Sequence, residues 1–471
     1  MFGCNPVTTQ NQPKIGCQLK FKEIPLTFSP FEAFSKFYKN YDYAYLLESV
    51  EGPQKLAQYS FIGFNPCSVI KIKNGKATIH NEKNGEETQE KVNDPLHVIK
   101  EAIGHLAFPY VGLRFVGGAV GYISYDAIRY WERLPEIAID DLCFPDIEMG
   151  IFQDGIIFDH RKKQALYYYQ SENRLPEVNK LIKENDDPEN LSYTQPRIGI
   201  KKEHFEKAVA KAKEYVASGH ILQVVLSKRY EFNFKGSMIK FYKHLREINP
   251  SPYMYFLKMD DRQIVGSSPE MLVRVDKKVV ETFPIAGTRP RVEKPSENET
   301  LAKELLADPK ERAEHVMLVD LARNDIGRVS RFGSVHTPEF MKVHQYSHVQ
   351  HIVSRVVGKL KKECDCYDAL RAIFPAGTVS GAPKVRAMEI IEESEPVRRG
   401  PYAGAVGYFS FNGNADFAIT IRTLVANGNK AYIQVGAGIV ADSIPEHEWF
   451  ETEHKAKALM KALEISGEEN P

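Results

Sequence analysis

Two patterns of hydrophobic and polar positions divide the chain near residue 190. Before it, short apolar runs such as 68–72 and 156–158 alternate with Gly, Asn and Pro, which is typical of strands joined by turns. The segment 183–198 is polar and rich in breakers, and we expect it to be a linker. Beyond it the periodic segments are longer. The pattern predicts an N-terminal part over 1–195 and a C-terminal part over 196–471.

Four helices are predicted in the C-terminal part. Apolar residues recur at helical spacing in the first, which precedes a predicted strand at 221–226. Asp308 and Pro309 are suited to the cap and first turn of the second, and Ser443 and Glu446 have the spacing of a capping box before the fourth. The four helices run over 205–217, from 309, from about 384, and from about 445 to 465.

One glycine-rich motif occurs twice. Residues 118–122 and 404–408 both read Gly-Ala-Val-Gly-Tyr. A single repetition does not define a solenoid, which needs several copies at a fixed period. The motif therefore predicts two similar strands at related places in the fold.

Composition and charge exclude several classes of protein. The chain has 62 Lys+Arg and 62 Asp+Glu, and 43% of its 471 residues are hydrophobic, as in a well-packed globular protein. Zero net charge argues against a general nucleic-acid binder and against anchoring to an acidic membrane. Because no apolar run approaches 18 residues and no secretory signal is visible, we expect a cytoplasmic protein. The six scattered cysteines lack a C-x-x-C pair and are expected to be free thiols.

Two pairs of glutamates are the strongest chemical feature. Glu311 and Glu314, and likewise Glu448 and Glu451, are three residues apart on predicted helices, so each pair shares a helix face. Such pairs are suited to clamping a hard divalent cation such as Mg²⁺. The alternative is that the four glutamates lie on solvated helix surface, where Glu311 helps to cap the helix start and Glu451 pairs with Lys455.

Three glycine-rich turns are candidate anion sites, at 284–291, 375–383 and 436–438. Glycine lets the backbone approach a ligand and expose its N–H groups. No phosphate loop and no G-x-G-x-x-G between a strand and a helix is present, so a carboxylate is the expected anion. Arg422 has the fork geometry to bind one. The alternative is that these glycines only make tight turns.

His351 is a further candidate. It is flanked by apolar residues at strand spacing, which is typical of a structural histidine. An imidazole is also suited to act as an acid near neutral pH. Both interpretations stay open at this point.

Together these segments resemble the chorismate-utilising enzymes. The motifs that carry the resemblance stand in order between about 205 and 465, at 284–291, 314–325, 374–384, 400–408 and 436–439 with 448–451. The resemblance implies an α/β (α+β) fold of large twisted, mainly antiparallel sheets packed face to face with helices outside. It also implies a cleft in the C-terminal part.

Two positions sort the branches of this family. In isochorismate and salicylate synthases, a lysine base activates water at the position where this chain has Gln223. Because glutamine cannot act as a base, the resemblance implies that ammonia is the nucleophile. Many aminodeoxychorismate synthases carry a ring-attacking lysine where this chain has Ala286. The implied product is anthranilate, released with pyruvate in the first step of tryptophan biosynthesis. The alternatives are an aminodeoxychorismate synthase large subunit and a non-catalytic tryptophan sensor.

The resemblance also assigns roles to residues. Glu314 and Glu451 are the expected Mg²⁺ ligands, with Glu311 and Glu448 as further or water-mediated ligands. His351 is expected to assist loss of the ring hydroxyl, and Thr378 and Gln223 belong to the catalytic set. The expected chorismate-binding residues are Gly287, Thr288, Tyr402, Arg422, Gly436, Ala437 and Gly438.

The N-terminal part resembles the regulatory, partner-binding part of the family. Segments 45–49 and 249–254 resemble its tryptophan site, although both also read as ordinary strand core. The implied inhibitor is L-tryptophan, and its implied ligands are Ser49, Pro252, Tyr253 and Met254. No glutaminase unit is visible in the sequence, so we expect a separate glutamine amidotransferase subunit and a hetero-oligomer.

Overall fold

The computed structural model describes residues 19–50, 58–82, 84–104, 112–184, 189–346 and 349–470. Strands β1 to β26 in these ranges are Lys20–Ile24, Tyr43–Glu48, Tyr59–Phe64, Ser68–Lys73, Lys76–Asn81, Glu87–Lys91, Gly118–Ile123, Ile147–Phe152, Asp154–Asp159, Gln164–Tyr169, Leu191–Thr194, Arg197–Ile198, Gln223–Lys235, Tyr253–Met259, Arg262–Ser268, Met271–Asp276, Val279–Thr282, Ile285–Pro290, His336–Gln345, Val349–Lys359, Gly381–Ala382, Ala405–Ser410, Ala415–Ile419, Thr423–Asn427, Lys430–Ile439 and Gly467–Asn470.

Helices α1 to α10 are Pro30–Asn40, Pro95–Ile103, Leu175–Ile182, Lys202–Ala217, Ile239–Ile248, Pro295–Ala307, Pro309–Val329, Cys366–Ile373, Lys384–Ser394 and Pro445–Ser466. Short 3-10 helices occupy Tyr125–Tyr130 and Gly377–Val379. In the described ranges, no helix has the length and apolar character needed to cross a membrane.

Two large sheets form the fold, as the resemblance implied. The first has the order β1-β10-β9-β3-β2-β14-β15-β24-β25-β13-β11-β26, and β12 and β21 also pair with β13. The second has the order β18-β20-β17-β16-β23-β22-β7-β8-β4-β5-β6, and β19 pairs with β20. Pairing is antiparallel throughout the described strands except between β11 and β26. The predicted mixed fold with mainly antiparallel sheets is confirmed.

The two sheets face each other across a shared apolar core. Phe61 of the first sheet lies 5.8 Å from Tyr408 of the second, measured between ring centroids. A second apolar cluster covers the outer face of the first sheet beneath α1, α5 and α10, and a third lies between β13, β25 and helices α4, α9 and α10. Burial of this apolar area is the main favourable term in folding.

Both sheets combine strands from the two halves of the chain. Strand β2 pairs with β14, and β7 pairs with β22. The predicted linker is partly in a sheet, because Leu191–Thr194 and Arg197–Ile198 pair with β13; residues 185–188 lie outside the described residues. The functional division near residue 195 stays a prediction.

The repeated glycine motif has a structural reason. Its two copies form the neighbouring strands β7 and β22, in which Gly121 is paired with Gly407. A Cβ atom at Gly121 would lie 2.0 Å from the Glu148 carbonyl oxygen, and one at Gly407 would lie 2.1 Å from that of Asp416. A side chain is therefore excluded at both positions by close approach of the backbone.

The four predicted helices are α4, α7, α9 and α10. Asp308 caps α7 as predicted, because its carboxylate accepts hydrogen bonds from the backbone N–H groups of Lys310 and Glu311. The predicted capping box of α10 is wrong. The cap residue is Ile444, and the Ser443 hydroxyl instead accepts from the Val440 N–H at 3.0 Å.

Four of the six cysteines lie within the described residues, and no disulfide joins any two of them: Cys67, Cys143, Cys364 and Cys366. Cys4 and Cys17 lie outside the described residues.

Candidate active site

The floor of the site is made by the paired strands β13 and β25. Val225 of β13 lies opposite Gly438, and Ser227 opposite Gly436. A Cβ atom at Gly438 would lie 2.6 Å from Nε2 of Gln223, and one at Gly436 would lie 2.6 Å from the Tyr402 hydroxyl. The glycines therefore leave room for polar side chains directly above the backbone.

Gln223 connects this floor to the first pair of glutamates. Its Nε2 donates to Glu314 Oε1 at 3.0 Å. Burial raises the pKa of Glu314, and the carboxylates of Glu311 and Glu451 raise it further, against the opposing effect of the Gln223 hydrogen bond. Helices α7 and α10 thus bring carboxylates from both predicted pairs close enough to repel one another.

The second pair combines a buried and an exposed carboxylate. Burial raises the pKa of Glu448, and the Glu451 carboxylate adds to that rise. Oxygen Oε2 of Glu448 is buried without a hydrogen-bond partner. Glu451 forms a 2.7 Å ion pair with Lys455, so the alternative predicted for it is also present. Within the described part of the chain, no three His, Cys, Asp or Glu side chains meet closely enough to hold a metal ion as they stand.

The turn in β18 forms one wall of the site. Gly287 has φ +69°, and a Cβ atom there would lie 2.9 Å from Glu311 Oε2. Nδ1 of His351 lies 2.8 Å from the Gly287 carbonyl oxygen and 3.2 Å from Thr288 Oγ1. Burial lowers the pKa of His351 and nearby Arg422 lowers it further. The imidazole is therefore neutral near pH 7, with its Nδ1–H donated to Gly287 and Nε2 left as an acceptor.

Glu270 is a site residue that the sequence reasoning missed. It is 8% exposed, and Oε1 accepts a hydrogen bond from Thr378 Oγ1 at 2.9 Å. Burial raises its pKa to about 8, against the opposing effects of Thr378 and Lys455. Its carboxyl group is therefore mostly protonated at neutral pH and able to donate a proton. The one sequence signal that could have indicated Glu270 is its place as an acidic residue between two apolar strands.

Two cations lie beside the glycine strand β25. Lys455 Nζ donates to the Gly436 carbonyl oxygen at 2.8 Å, and Arg422 Nη1 donates to the Lys455 carbonyl oxygen at 2.6 Å. Burial lowers the pKa of Arg422, whereas Tyr402 and Glu451 oppose that shift. Arg422 was predicted to bind substrate, but Lys455 was considered only as a partner of Glu451. Both cations are placed to bind an anion.

The four residues of the predicted inhibitor site line a separate cavity. Ser49, Pro252, Tyr253 and Met254 border a small cavity of about 50 Å³ between the sheets. The Ser49 hydroxyl donates to the Pro252 carbonyl oxygen, which joins the two segments. The structure thus brings together residues that are about 200 positions apart in the sequence.

The wall of this cavity is both aromatic and charged. Its aromatic side chains are those of Tyr59, Phe61, Tyr253, Tyr255 and Tyr408. Glu48 and Asp416 contribute acidic groups, and Arg114 and Arg274 contribute basic groups. Such a lining is suited to an aromatic ligand that carries charges of both signs.

Comparisons with known proteins agree on one family. The family profile described as chorismate binding enzyme matches residues 42–461. The chain is 49% identical over 452 residues to anthranilate synthase component 1 of Methanothermobacter marburgensis, covering 96% of this chain and 95% of that protein. It is 43% identical over 473 residues to aminodeoxychorismate synthase component 1 of Bacillus subtilis, covering 95% and 97%. The crystal structure of anthranilate synthase component I from Streptococcus pneumoniae TIGR4 matches with a TM-score of 0.76 at 38% identity, covering 87% of this chain and 93% of that one.

Proposed function

Because the chain belongs to the chorismate-binding enzymes, we propose that it is the synthase subunit of an anthranilate synthase, which converts chorismate and ammonia to anthranilate and pyruvate. The observation that carries the proposal is the contact between Gln223 and Glu314. A neutral amide, which cannot deprotonate water, stands where a water-activating enzyme of the family needs a basic amine. Ammonia needs no such base, because it is itself a nucleophile.

An aminodeoxychorismate synthase is the second candidate, since the Bacillus subtilis relative carries that name. Ala286 favours the anthranilate reaction. It is 8% exposed and paired with Ile352, so the wall at this point carries a methyl group and no amine. Without an amine to attack the ring, ammonia adds directly at the carbon beside the ring carboxylate.

The glutamates fit a hard divalent cation, and Mg²⁺ is the proposed cofactor. The donor set consists of carboxylate oxygens, one of which, Glu448 Oε2, is buried without a partner. Burial raises the pKa of Glu314, and two neighbouring carboxylates raise it further by a repulsion that a cation relieves. Glu314 and Glu451 would hold the ion, with Glu311 and Glu448 as further or water-mediated ligands. When bound, Mg²⁺ supplies Lewis-acid polarisation through the ring carboxylate of chorismate.

The other residues of the chain bind the substrate and move protons. The carboxylates of chorismate are held beside strand β25, because two cations adjoin this strand. The groups that hold them are Arg422, Lys455 and the backbone of Gly436–Gly438. Glu270 gives its proton to the ring hydroxyl, which leaves as water after ammonia adds. We assign this step to Glu270 rather than to His351, whose Nδ1–H is donated to Gly287. His351, Thr288 and Gly287 hold the wall turn against the substrate, and Thr378 orients Glu270. Elimination of pyruvate then completes the aromatic ring.

Product analysis tests the proposed reaction. The purified chain, incubated with chorismate, Mg²⁺ and ammonium at pH 8, is expected to form anthranilate and pyruvate in equal amounts, identified by chromatography. With glutamine as the only nitrogen source it is expected to form none, because a separate amidotransferase subunit supplies the ammonia. A p-aminobenzoate precursor would favour the second candidate, and turnover with glutamine alone would contradict the separate subunit.

L-Tryptophan is the proposed inhibitor, and the cavity around Ser49 is its proposed site. The support is an aromatic lining with charged groups of both signs, which matches an aromatic zwitterion. Tryptophan that binds here stabilises the conformation in which the segments at Ser49 and Pro252 are in contact. Because a ligand shifts the equilibrium toward the conformation that it binds more tightly, this conformation is the inhibited state.

A filled cavity is expected to lose this inhibition. Ser49→Leu adds volume inside the cavity and removes the hydroxyl that bonds Pro252. We expect the tryptophan concentration for half-inhibition to rise by about tenfold or more, because filling a small site costs at least about 1.4 kcal/mol of binding. Ser49→Ala, which removes the hydroxyl without adding volume, should have a smaller effect. The measurements are rate assays and calorimetric titrations. Wild-type protein that neither binds tryptophan nor is slowed by it would contradict the proposal.

A further inference from the structure

A buried amine lies beneath the helix that carries Glu448 and Glu451. The side chain of Lys228 is 0% exposed, and its Nζ lies 3.1 Å from the centroid of the Trp449 ring. The same atom lies 3.4 Å from the Trp449 carbonyl oxygen and 3.6 Å from Oε1 of Glu453. Burial lowers the pKa of Lys228 to about 8, against the opposing effect of Glu453. Near pH 7 the group is therefore an ammonium on the ring face, where cation–π attraction is strongest.

The surroundings of Lys228 are otherwise apolar. Val224 and Leu226, which alternate with it on the same face of β13, belong to the apolar cluster that also contains Trp449. An apolar side chain would fill this place without the cost of desolvating a charge. The ammonium adds what an apolar group lacks, namely directional contacts to the Trp449 ring, one carbonyl oxygen and one carboxylate. These three closest contacts all belong to α10, and a longer one of 5.8 Å is made to the Tyr230 ring of the same strand.

Strand β13 therefore contacts both glutamate-bearing helices. At its first residue, Gln223 holds Glu314 of α7 at 3.0 Å. Five residues later, Lys228 holds Trp449 and Glu453 of α10, which are four positions apart and share a face of that helix. Trp449 lies between Glu448 and Glu451 in the sequence, so its placement fixes the rotation of α10 about its axis. That rotation decides whether the second glutamate pair points toward Glu314.

We propose that Lys228 is a positioning residue for the candidate cation site. It clamps Trp449, and thereby sets the first turns of α10 at the rotation that directs Glu448 and Glu451 toward Glu314. Lys228 itself contacts neither substrate nor cation. The inference rests on the proposed function in one respect, which is that the four glutamates bind Mg²⁺.

The test measures Mg²⁺ binding apart from activity. The sequence has two tryptophans, so Trp131→Phe leaves Trp449 as the single tryptophan of the full chain, which is excited selectively at wavelengths that tyrosine does not absorb. In that background Lys228→Met removes the ammonium and keeps the apolar stem, whereas Lys228→Arg keeps a cation for the ring. Calorimetric titration with Mg²⁺ gives the dissociation constant, and Trp449 emission reports the ring contact. Thermal unfolding shows whether each variant is folded.

We expect Lys228→Met to weaken Mg²⁺ binding by about tenfold, which corresponds to about 1.4 kcal/mol, and to shift Trp449 emission. Lys228→Arg should bind Mg²⁺ within about threefold of wild type, since a cation still contacts the ring. Because the defect lies in placement, the turnover of Lys228→Met should recover toward wild type at saturating Mg²⁺. A purely structural defect would lower turnover equally at every Mg²⁺ concentration.

Two results overturn the inference while leaving the proposed function intact. One is a folded Lys228→Met protein with the wild-type dissociation constant for Mg²⁺. The other applies if that variant does not fold. Glu453→Gln, which removes the half-exposed carboxylate partner of Lys228, should then also weaken Mg²⁺ binding, and an unchanged dissociation constant would refute the clamp. Wild-type protein that binds no Mg²⁺ overturns the proposed cofactor itself, and the positioning role with it.

Discussion

Glu314→Gln is expected to lower chorismate turnover by about a thousandfold or more, because it removes a proposed Mg²⁺ ligand and the several kcal/mol of charge stabilisation that a Lewis acid provides. The substitution keeps the shape of the side chain and its place beside Gln223, so the loss is one of charge. Steady-state rates over a range of Mg²⁺ concentrations measure the effect. Asp320→Asn is the matched control, since Asp320 lies on the same helix and pairs with Arg323 at the surface.

Stability should change in the opposite direction to activity. The folded-state pKa of Glu314 is raised above the ordinary value of 4.5, so the folded state holds this proton more tightly than the unfolded chain does. The stability that the proton contributes is fully present below the unfolded pKa and is lost as pH rises through the folded pKa. At pH 7 without metal, Glu314→Gln should therefore unfold at the same or a higher temperature than wild type. It should also lose the rise in unfolding temperature that Mg²⁺ gives wild type. A variant that keeps both that rise and its activity would contradict the metal assignment.

Glu270→Gln is expected to lower kcat by about a hundredfold to ten-thousandfold, which is the range for removing a general acid. Glutamine can still accept the hydrogen bond from Thr378 but has no acidic proton to give to the leaving hydroxyl. In the wild type the active form is protonated, and its pKa is about 8. The rate per molecule of unprotonated ammonia should therefore fall as pH rises above about 8. The variant should show no such fall.

The same residue predicts a pH-dependent difference in stability. Because the folded pKa of Glu270 lies above its ordinary value, the stability that its proton contributes is fully present below about pH 4.5 and is lost as pH rises toward about 8. The glutamine of the variant does not titrate, so it adds no such pH dependence to the stability. The unfolding temperature of Glu270→Gln relative to wild type should consequently rise between pH 5 and pH 8.5. Equal activity of the two proteins would remove Glu270 from the mechanism, and a constant difference in unfolding temperature would contradict its raised pKa.

The sequence could predict those features that depend on local signals. Helix α7 begins where Asp308 and Pro309 indicate, because capping acts over a few residues. The predicted capping box of α10 is wrong for a similarly local reason, since the Ser443 hydroxyl accepts a hydrogen bond from the Val440 N–H instead. The resemblance supplied the fold class, but the pairing of β2 with β14, separated by about 200 residues, has no local signal. Long-range pairings of this kind, such as β2 with β14 and β7 with β22, join the two halves of the chain in both sheets.

The residues of the candidate site likewise include some that a local sequence signal predicts and some that only the folded structure brings together. The glutamate pairs have a spacing that a helix converts into a shared face, so they could be found from the sequence. Glu270 has no such spacing, and its importance arises from burial and from Thr378, which is distant in the chain. Lys455 was assigned only to Glu451, because its contact with the Gly436 carbonyl oxygen depends on how α10 packs on β25. Lys228 shows no motif at all, since its partners belong to a helix more than 200 residues away.

The position of nitrogen in the product tests the central claim most directly. The purified chain is incubated with chorismate and ¹⁵N-ammonium at pH 8, with Mg²⁺ or with a chelator, and the aromatic product is examined by NMR. The account predicts that ¹⁵N is bound to the carbon beside the ring carboxylate, and that the product forms only with Mg²⁺. Nitrogen at the carbon opposite the carboxylate, an oxygen in its place, or equal turnover in the presence of the chelator would contradict it.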